Sequence, residues 1–311
     1  MLAVRHPPVE DRFLYRNHTV LAGILVLLFQ GRKRGPRLKP KTEGEIRVFA
    51  VGDVIGRPGR NILRTAIPIL HKTYDWDALV VNVENAAGGF GLTPEVFAEF
   101  RKMPIDCMTS GNHIFDKKGY KEWMGDAPGL LRPLNLPSGS IGRGALTVTL
   151  NNGLQLGVIN IMGRTFMKPY DCPFRAVDKA VAELRQQTPL ILVDFHAEAT
   201  SEKMAMGWHL TGRVSAVWGT HTHVPTADGR VLDKTTGYLS DLGMTGAYDS
   251  VIGMKKEPVI EGFQTLERTR FEVAKGDPRI AGCLFDIRPE DGHCTRVQGV
   301  FLSEEELADL A

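Results

Sequence analysis

The sequence is short of several things, and each scarcity closes a class of function. Cysteine occurs four times in 311 residues, at Cys107, Cys172, Cys283 and Cys294, with no Cys-x-x-Cys pair. That argues against a disulfide-framed secreted scaffold and against a thiolate zinc site, and it suits a reducing cytoplasm. Long apolar runs are equally scarce. The one uninterrupted run, residues 20–29, is only ten residues long, too few to span a bilayer. It starts late for a signal peptide, and no small-x-small cleavage site follows. Residues 1–44, with this run inside them, are therefore expected to be a poorly ordered extension, without a transmembrane span.

Charge of one sign is lacking as well. The formal net charge of +2 hides nine Lys/Arg against three Asp/Glu in residues 1–44, which leaves 29 against 33 in the rest. The mildly acidic body argues against a dedicated nucleic-acid surface. No internal repeat or low-complexity tract is present.

What remains is ordinary globular composition, 43% apolar, which is enough to bury a sizeable core. From Glu45 onwards the chain alternates β-branched apolar runs with amphipathic stretches. Strands are expected over 46–51, 78–83, 105–109, 145–150, 154–161, 190–195 and 214–218. Strand-like pieces follow at 238–241, 269–274, 281–287 and 294–302. Asn151-Asn152-Gly153 marks a hairpin. Helices are expected over 60–72, kinked at Pro68, from Thr93 to about Lys102, over 175–187 and over 201–210. Another is expected to begin at Lys117 with Asp116 as its cap. βα units come first and a mainly β half follows. That order suggests an α/β fold of two sheets, each covered by helices on its outer face. The expected organisation is the extension 1–44, one domain over 45–303 and a tail over 304–311.

The chemistry sits where the apolar runs stop. Five of them end in potential ligands: Asp53; Glu84 with Asn85; Asn112 with His113; His196; and His221 with His223. In α/β sheets ligands bind beyond the carboxyl ends of the strands. In Gly219-Thr220-His221-Thr222-His223, side chains two apart in an extended chain point the same way, so both imidazoles are expected to face one spot. Each residue alone has a bland reading. An aspartate after a strand is commonly a turn or cap residue, and a lone histidine is commonly a hydrogen-bonded core residue. Five together are hard to explain by packing, because buried carboxylates and imidazoles are costly without a partner. The donors exceed what one metal needs and suit two metals sharing a carboxylate. Oxygen and nitrogen without thiolate favour Mn or Fe, with Zn as the alternative. Two such ions can hold a bridging hydroxide and clamp the oxygens of an in-line displacement at phosphorus. Arg164 and Arg175, in the loop 163–175, carry two readings, a contact to phosphate and a solvated surface arginine, and neither is counted in the site.

The order Gly52-Asp53, Glu84-Asn85, Gly111-Asn112-His113, His196 and Gly219-Thr220-His221-Thr222-His223 resembles that of calcineurin-like metallophosphoesterases. Longer segments resemble the YmdB-like bacterial group within them. These are 52–60, 82–87, the run Asp194 to Lys203, and Asp241 to Gly246. Ile55 stands where the general pattern has a histidine, and Glu84 where it has a bridging aspartate; the YmdB-like group shares both departures. The resemblance implies a four-layer α/β/β/α sandwich of two mixed sheets flanked by helices. It implies one metal held by Asp53, Glu84, Asn85 and His223, and a second by Glu84, Asn112, His196 and His221. His113 is then the general acid for the leaving oxygen. The implied activity is hydrolysis of a small phosphodiester, a cyclic nucleotide of the 2′,3′-cyclic AMP type, and a homo-oligomer is compatible with it. Two rivals remain at this level. One is a regulatory nucleotide- or metal-binding protein with slow turnover. The other is an amidohydrolase-type barrel, which the late position of the His-x-His pair disfavours.

Overall fold

Side chains at successive positions of one strand face opposite ways, so a strand that is apolar at every position must be covered on both faces. In a computed structural model of the chain, residues 40–311 are described, and these strands are covered in that way. The expected extension and its apolar run lie almost wholly outside the described residues. Strand β6 (Gln155–Met162) shows the principle. Val158 belongs to one buried cluster and its neighbour Ile159 to another on the far side.

Two mixed sheets result. Sheet one has the order β2 (Asp53–Val54), β11 (Met244–Ala247), β12 (Pro278–Ile287), β1 (Ile46–Val51), β3 (Ala78–Asn82) and β4 (Cys107–Thr109). Strand β13 (Cys294–Ser303) runs antiparallel along the other edge of β12. Sheet two has the order β5 (Ala145–Thr149), β6, β7 (Ile191–His196), β8 (Ala216–Thr220), β10 (Thr236–Leu239) and β9 (Arg230–Leu232). Strands β1, β3 and β4 are parallel, as are β6, β7, β8 and β10, so within each group the carboxyl ends lie on one side.

The sheets close on each other over Val48, Ala50 and Val80 from sheet one and Val158, Leu192 and Trp218 from sheet two. The Trp218 and Phe285 rings stack across this seam with centroids 5.6 Å apart. Helices α3 (Pro173–Leu184) and α4 (Thr200–Leu210) cover the outer face of sheet two through Val177, Val181, Leu184, Met206 and Leu210. Helix α1 (Gly56–Tyr74) lies against β11 and β12 and buries Ile62, Leu63, Ala66, Ile67 and Leu70 at helical spacing. This is the expected four-layer arrangement. Shorter helices α2 (Pro94–Phe100), α5 (Lys256–Thr265) and α6 (Glu304–Ala308) complete the described residues. Among those residues no helix is long and apolar enough to cross a membrane.

Several local expectations are corrected. No helix begins at Lys117; two 3₁₀ turns, Tyr120–Glu122 and Met124–Asp126, stand there instead. Gly119 has φ +79, a left-handed conformation that stops a helix, and the Asp116 carboxylate is drawn to a histidine rather than to helix amides. Helix α1 starts at Gly56 and not near residue 60. Pro58 is tolerated in its first turn, where the missing N–H has no intrahelical acceptor, and the helix continues through Pro68. The piece 269–274 is no strand; Val273 makes one isolated bridge with Met254.

Candidate metal centre

The strand tips that end in Asp, Glu, Asn and His meet where the two sheets face each other. Sheet one brings Asp53 from β2, Glu84 and Asn85 from just beyond β3, and Asn112 from beyond β4. Sheet two brings His196 from the last position of β7, and His221 and His223 from beyond β8. Asp53, Glu84 and His196 are 0% exposed and Asn85 is 1% exposed, so this polar cluster has little water to solvate it.

Its ligand atoms form two groups. Glu84, His196 and His221 each place a ligand atom within 4.8 Å of the others, and so do Asp53, Glu84 and His223. Glu84 is common to both. His196 Nε2 lies 3.1 Å from Glu84 Oε1, 3.0 Å from Asn112 Oδ1 and 3.1 Å from His221 Nδ1. On the other side, His223 Nε2 lies 3.9 Å from Asp53 Oδ1 and 3.2 Å from Asn85 Nδ2. All seven residues expected as ligands are thus brought together, as is His113, whose backbone N–H donates to Glu84 Oε2 at 3.0 Å.

The His-x-His pair does not behave as an extended strand end. Strand β8 stops at Thr220, and His221 and His223 have φ of +98 and +65. The two imidazoles consequently serve different groups instead of facing one spot. Such φ values are uncommon outside glycine and need support. The His221 N–H donates to Asp53 Oδ2 at 3.2 Å, and Thr222 donates its hydroxyl to Asp241 Oδ2 at 2.8 Å. Asp241 is paired in turn with the buried Lys203 ammonium at 2.6 Å. His223 Nδ1 is held by the Ile252 carbonyl at 2.9 Å.

A histidine ligand is oriented by the partner of its other ring nitrogen. The Thr220 hydroxyl donates to Asp194 Oδ1 at 2.7 Å, so it accepts from His196 Nδ1–H at 2.9 Å. That tautomer turns the Nε2 lone pair into the cluster. His221 Nε2 is met by Glu198 Oε2 at 3.1 Å. Gly111 leaves the passage clear, since a Cβ there would collide with the His196 ring and Glu84 Oε2.

Burial and the neighbouring charges set the electrostatics of the cluster. Burial pushes the Asp53 carboxyl up to about 6, against the pull of His223 and His196. Burial also pushes Glu84 upward, but the His196 imidazole beside it outweighs that and brings it to about 2. Burial pulls His196 down, and Glu84, followed by Asp53, overcomes this and holds it up at about 9. His221 is depressed to about 3 by burial and by His196. Two buried oxygens still have no hydrogen-bond partner among the described residues, Asp53 Oδ1 and Asn85 Oδ1. An unpaired buried oxygen is costly, and both belong to the cluster around His223. The donor set and these orphaned atoms fit metal ions.

Beside the cluster opens a cavity of about 470 Å³ lined by Asn112, His113, Asp116 and His221 and by loop residues that include Phe166, Lys168 and Tyr170. His113 Nδ1 is 2.6 Å from Asp116 Oδ2, which leaves Nε2 for a bound molecule. The Phe90 ring packs edge-on against the imidazole at 5.0 Å. Arg164 and Arg175 are not among the lining residues. Arg164 instead donates its backbone N–H to Glu202. Sequence reasoning did not single out Asp116 as the partner of His113, nor Lys168, Glu198 or the Lys203–Asp241 pair. The signal for the last two was available, since Glu198, Lys203 and Asp241 lie in the long segments that carry the family resemblance.

A family model described as YmdB-like protein matches residues 49–300. The chain belongs to the YmdB-like family. It is 43% identical over 262 residues to the 2′,3′-cyclic-nucleotide 2′-phosphodiesterase of Bacillus subtilis, covering 84% of this chain and 99% of that protein. It is 34% identical over 262 residues to a putative phosphatase/phosphodiesterase of Mycoplasma genitalium, covering 82% and 92%. Among solved structures, a hypothetical protein from Thermus thermophilus superposes with a TM-score of 0.78 at 37% identity, over 83% of this chain and all of that one. A Mycoplasma pneumoniae protein described as a novel phosphatase gives a TM-score of 0.78 at 31% identity, over 86% and 99%. Membership of a metallophosphoesterase family implies divalent metal ions, and the YmdB-like chain has the ligand groups for them.

Proposed function

We propose that this YmdB-like chain is a metal-dependent phosphoric diester hydrolase acting on cyclic nucleotides of the 2′,3′ type. The observation that carries the reading is Glu84, one buried carboxylate common to two ligand groups, one of which includes Asp53 with its orphaned oxygen. On this reading Asp53, Glu84, Asn85 and His223 hold one ion, and Glu84, Asn112, His196 and His221 hold the other. Oxygen and imidazole donors without thiolate favour Fe or Mn, with Zn as the alternative. Such ions supply a water-derived nucleophile at neutral pH and offset the charge that develops on the phosphoryl oxygens.

The chain's own residues do the rest. The cavity of about 470 Å³ admits a small diester. His113, at the mouth of the cluster, gives a proton from Nε2 to the leaving oxygen. The Asp116 carboxylate accepts from Nδ1–H and orients the ring, and the proton given from Nε2 is that of the doubly protonated imidazolium. The Glu84 carboxylate, by accepting the His113 amide, ties the acid to the ligand cluster. The name of the Bacillus relative, a 2′,3′-cyclic-nucleotide 2′-phosphodiesterase, supports the substrate class. Four free cysteines, three of them buried, suit assignment to the cytoplasm.

The test is turnover of 2′,3′-cyclic AMP by protein loaded with Mn²⁺ or Fe²⁺, for wild type and His113→Ala. The variant is expected to lose about 10²- to 10⁴-fold in kcat with unchanged metal content. Equal rates would remove the proposed acid. Absence of turnover by the loaded wild type would favour a binding protein over an enzyme.

A further inference from the structure

The loop that closes the cavity carries an aromatic ring with no protein partner in the ordinary sense. Phe166 is 89% exposed and sits at φ +60, so the chain bears both an unburied phenyl ring and a left-handed non-glycine backbone at one position. Strain of this kind persists only where the surroundings hold it, and it gathers at ligand-binding positions.

The surroundings do hold it. At the start of the loop the largely buried Glu202 carboxylate accepts the N–H groups of Arg164 at 3.2 Å and Thr165 at 3.2 Å. The buried Asn135 side chain ties the two ends together, donating to the carbonyls of Met162 at 2.7 Å and Asp171 at 2.9 Å and accepting the Met162 N–H at 2.9 Å. Phe166 is thus presented from a loop anchored at both ends. It lines the same cavity as Asn112, His113 and His221. Lys168, from the same loop, supplies a cationic wall to that cavity. A ligand with phosphorus beside Asn112 and His221 therefore has a phenyl face within the same enclosure.

We propose that Phe166 is the nucleobase platform of this site, stacking on the base of a bound nucleotide while its phosphate lies against the ligand cluster. The proposal rests on the phosphodiesterase reading and deepens it. Aromatic stacking tolerates any base, because every base offers a π-face. The platform accordingly selects a nucleoside phosphodiester over a base-free one, and discriminates little between adenine and the other bases.

The test compares 2′,3′-cyclic AMP with glycerol 1,2-cyclic phosphate, a cyclic diester without a base, on metal-loaded wild type, Phe166→Ala and Phe166→Trp. Alanine is expected to raise KM for the nucleotide about tenfold with kcat little changed. On the glycerol diester the same variant loses less than about twofold. Tryptophan restores the nucleotide KM. Equal loss on both substrates, or no change on the nucleotide, overturns the platform. Should the wild type hydrolyse neither diester, the phosphodiesterase reading fails, and equilibrium binding of AMP against ribose 5-phosphate takes over as the test. Tighter binding of AMP that Phe166→Ala abolishes then supports the platform, and equal binding of the two overturns it.

Discussion

Sheet one and sheet two bring different chemistry to the same rim. Every donor from sheet one is an oxygen-bearing side chain: Asp53, Glu84, Asn85 and Asn112. Every donor from sheet two is an imidazole: His196, His221 and His223. The support differs in the same way. Of the sheet-one residues, Asp53, Glu84 and Asn85 are buried, and Asp53 Oδ1 and Asn85 Oδ1 are left without a hydrogen-bond partner among the described residues. The sheet-two rings are each turned by a partner on the remaining nitrogen, namely Thr220, Glu198 and the Ile252 carbonyl. One sheet supplies carboxylate and amide oxygens, and the other supplies imidazoles oriented by their partners. Neither completes a site alone, so the centre exists only while the two sheets are docked.

That division can be broken or sharpened by substitution. The largest effect is expected from Glu84→Ala. It removes the one donor common to both groups, so metal analysis should show loss of both ions, and turnover should fall about 10³-fold or more. Retention of both ions would mean that Glu84 does not join the groups. Next comes Trp218→Ala, which attacks the docking and leaves every donor in place. Emptying this fully buried position, stacked on Phe285 across the seam, should cost about 3–5 kcal/mol in denaturant unfolding. Metal affinity should fall with it, because the donors of the two sheets lose their common frame. An unchanged metal affinity would show that either sheet can organise the centre without the other. The smallest effect belongs to Ser303→Ala. Ser303 and Glu306 form a capping box on α6, outside both sets of donors. Its loss should cost about 1 kcal/mol and leave metal content untouched.

The sequence made the rim more legible than the walls. Buried strands announce themselves by apolar runs, and the residue types that stop those runs do not pack without a reason. Hence Asp53, Glu84, Asn112, His196, His221 and His223 stood out as a set, although each alone had a bland reading. Their division between two groups depended on the left-handed backbone at His221 and His223, which no spacing rule reveals. Helix α5 escaped because its only buried residue is Val259, while Ile260 and Phe263 face outward and blur the apolar period. The helix expected at Lys117 failed for a functional reason, since the Asp116 carboxylate is bound to His113. Strand β2 is two residues long and exists through its pairing with β11, whose partner positions lie far away in the sequence. Asp53, picked out as a candidate ligand just past β1, therefore stands in a short strand of its own.

The account stands on paired ions joined through Glu84, and anomalous diffraction from crystals grown with Mn²⁺ addresses that directly. Two peaks are predicted, one among Asp53, Asn85 and His223 and one among Asn112, His196 and His221, with Glu84 touching both. A single peak, or ions bound away from Glu84, would contradict it.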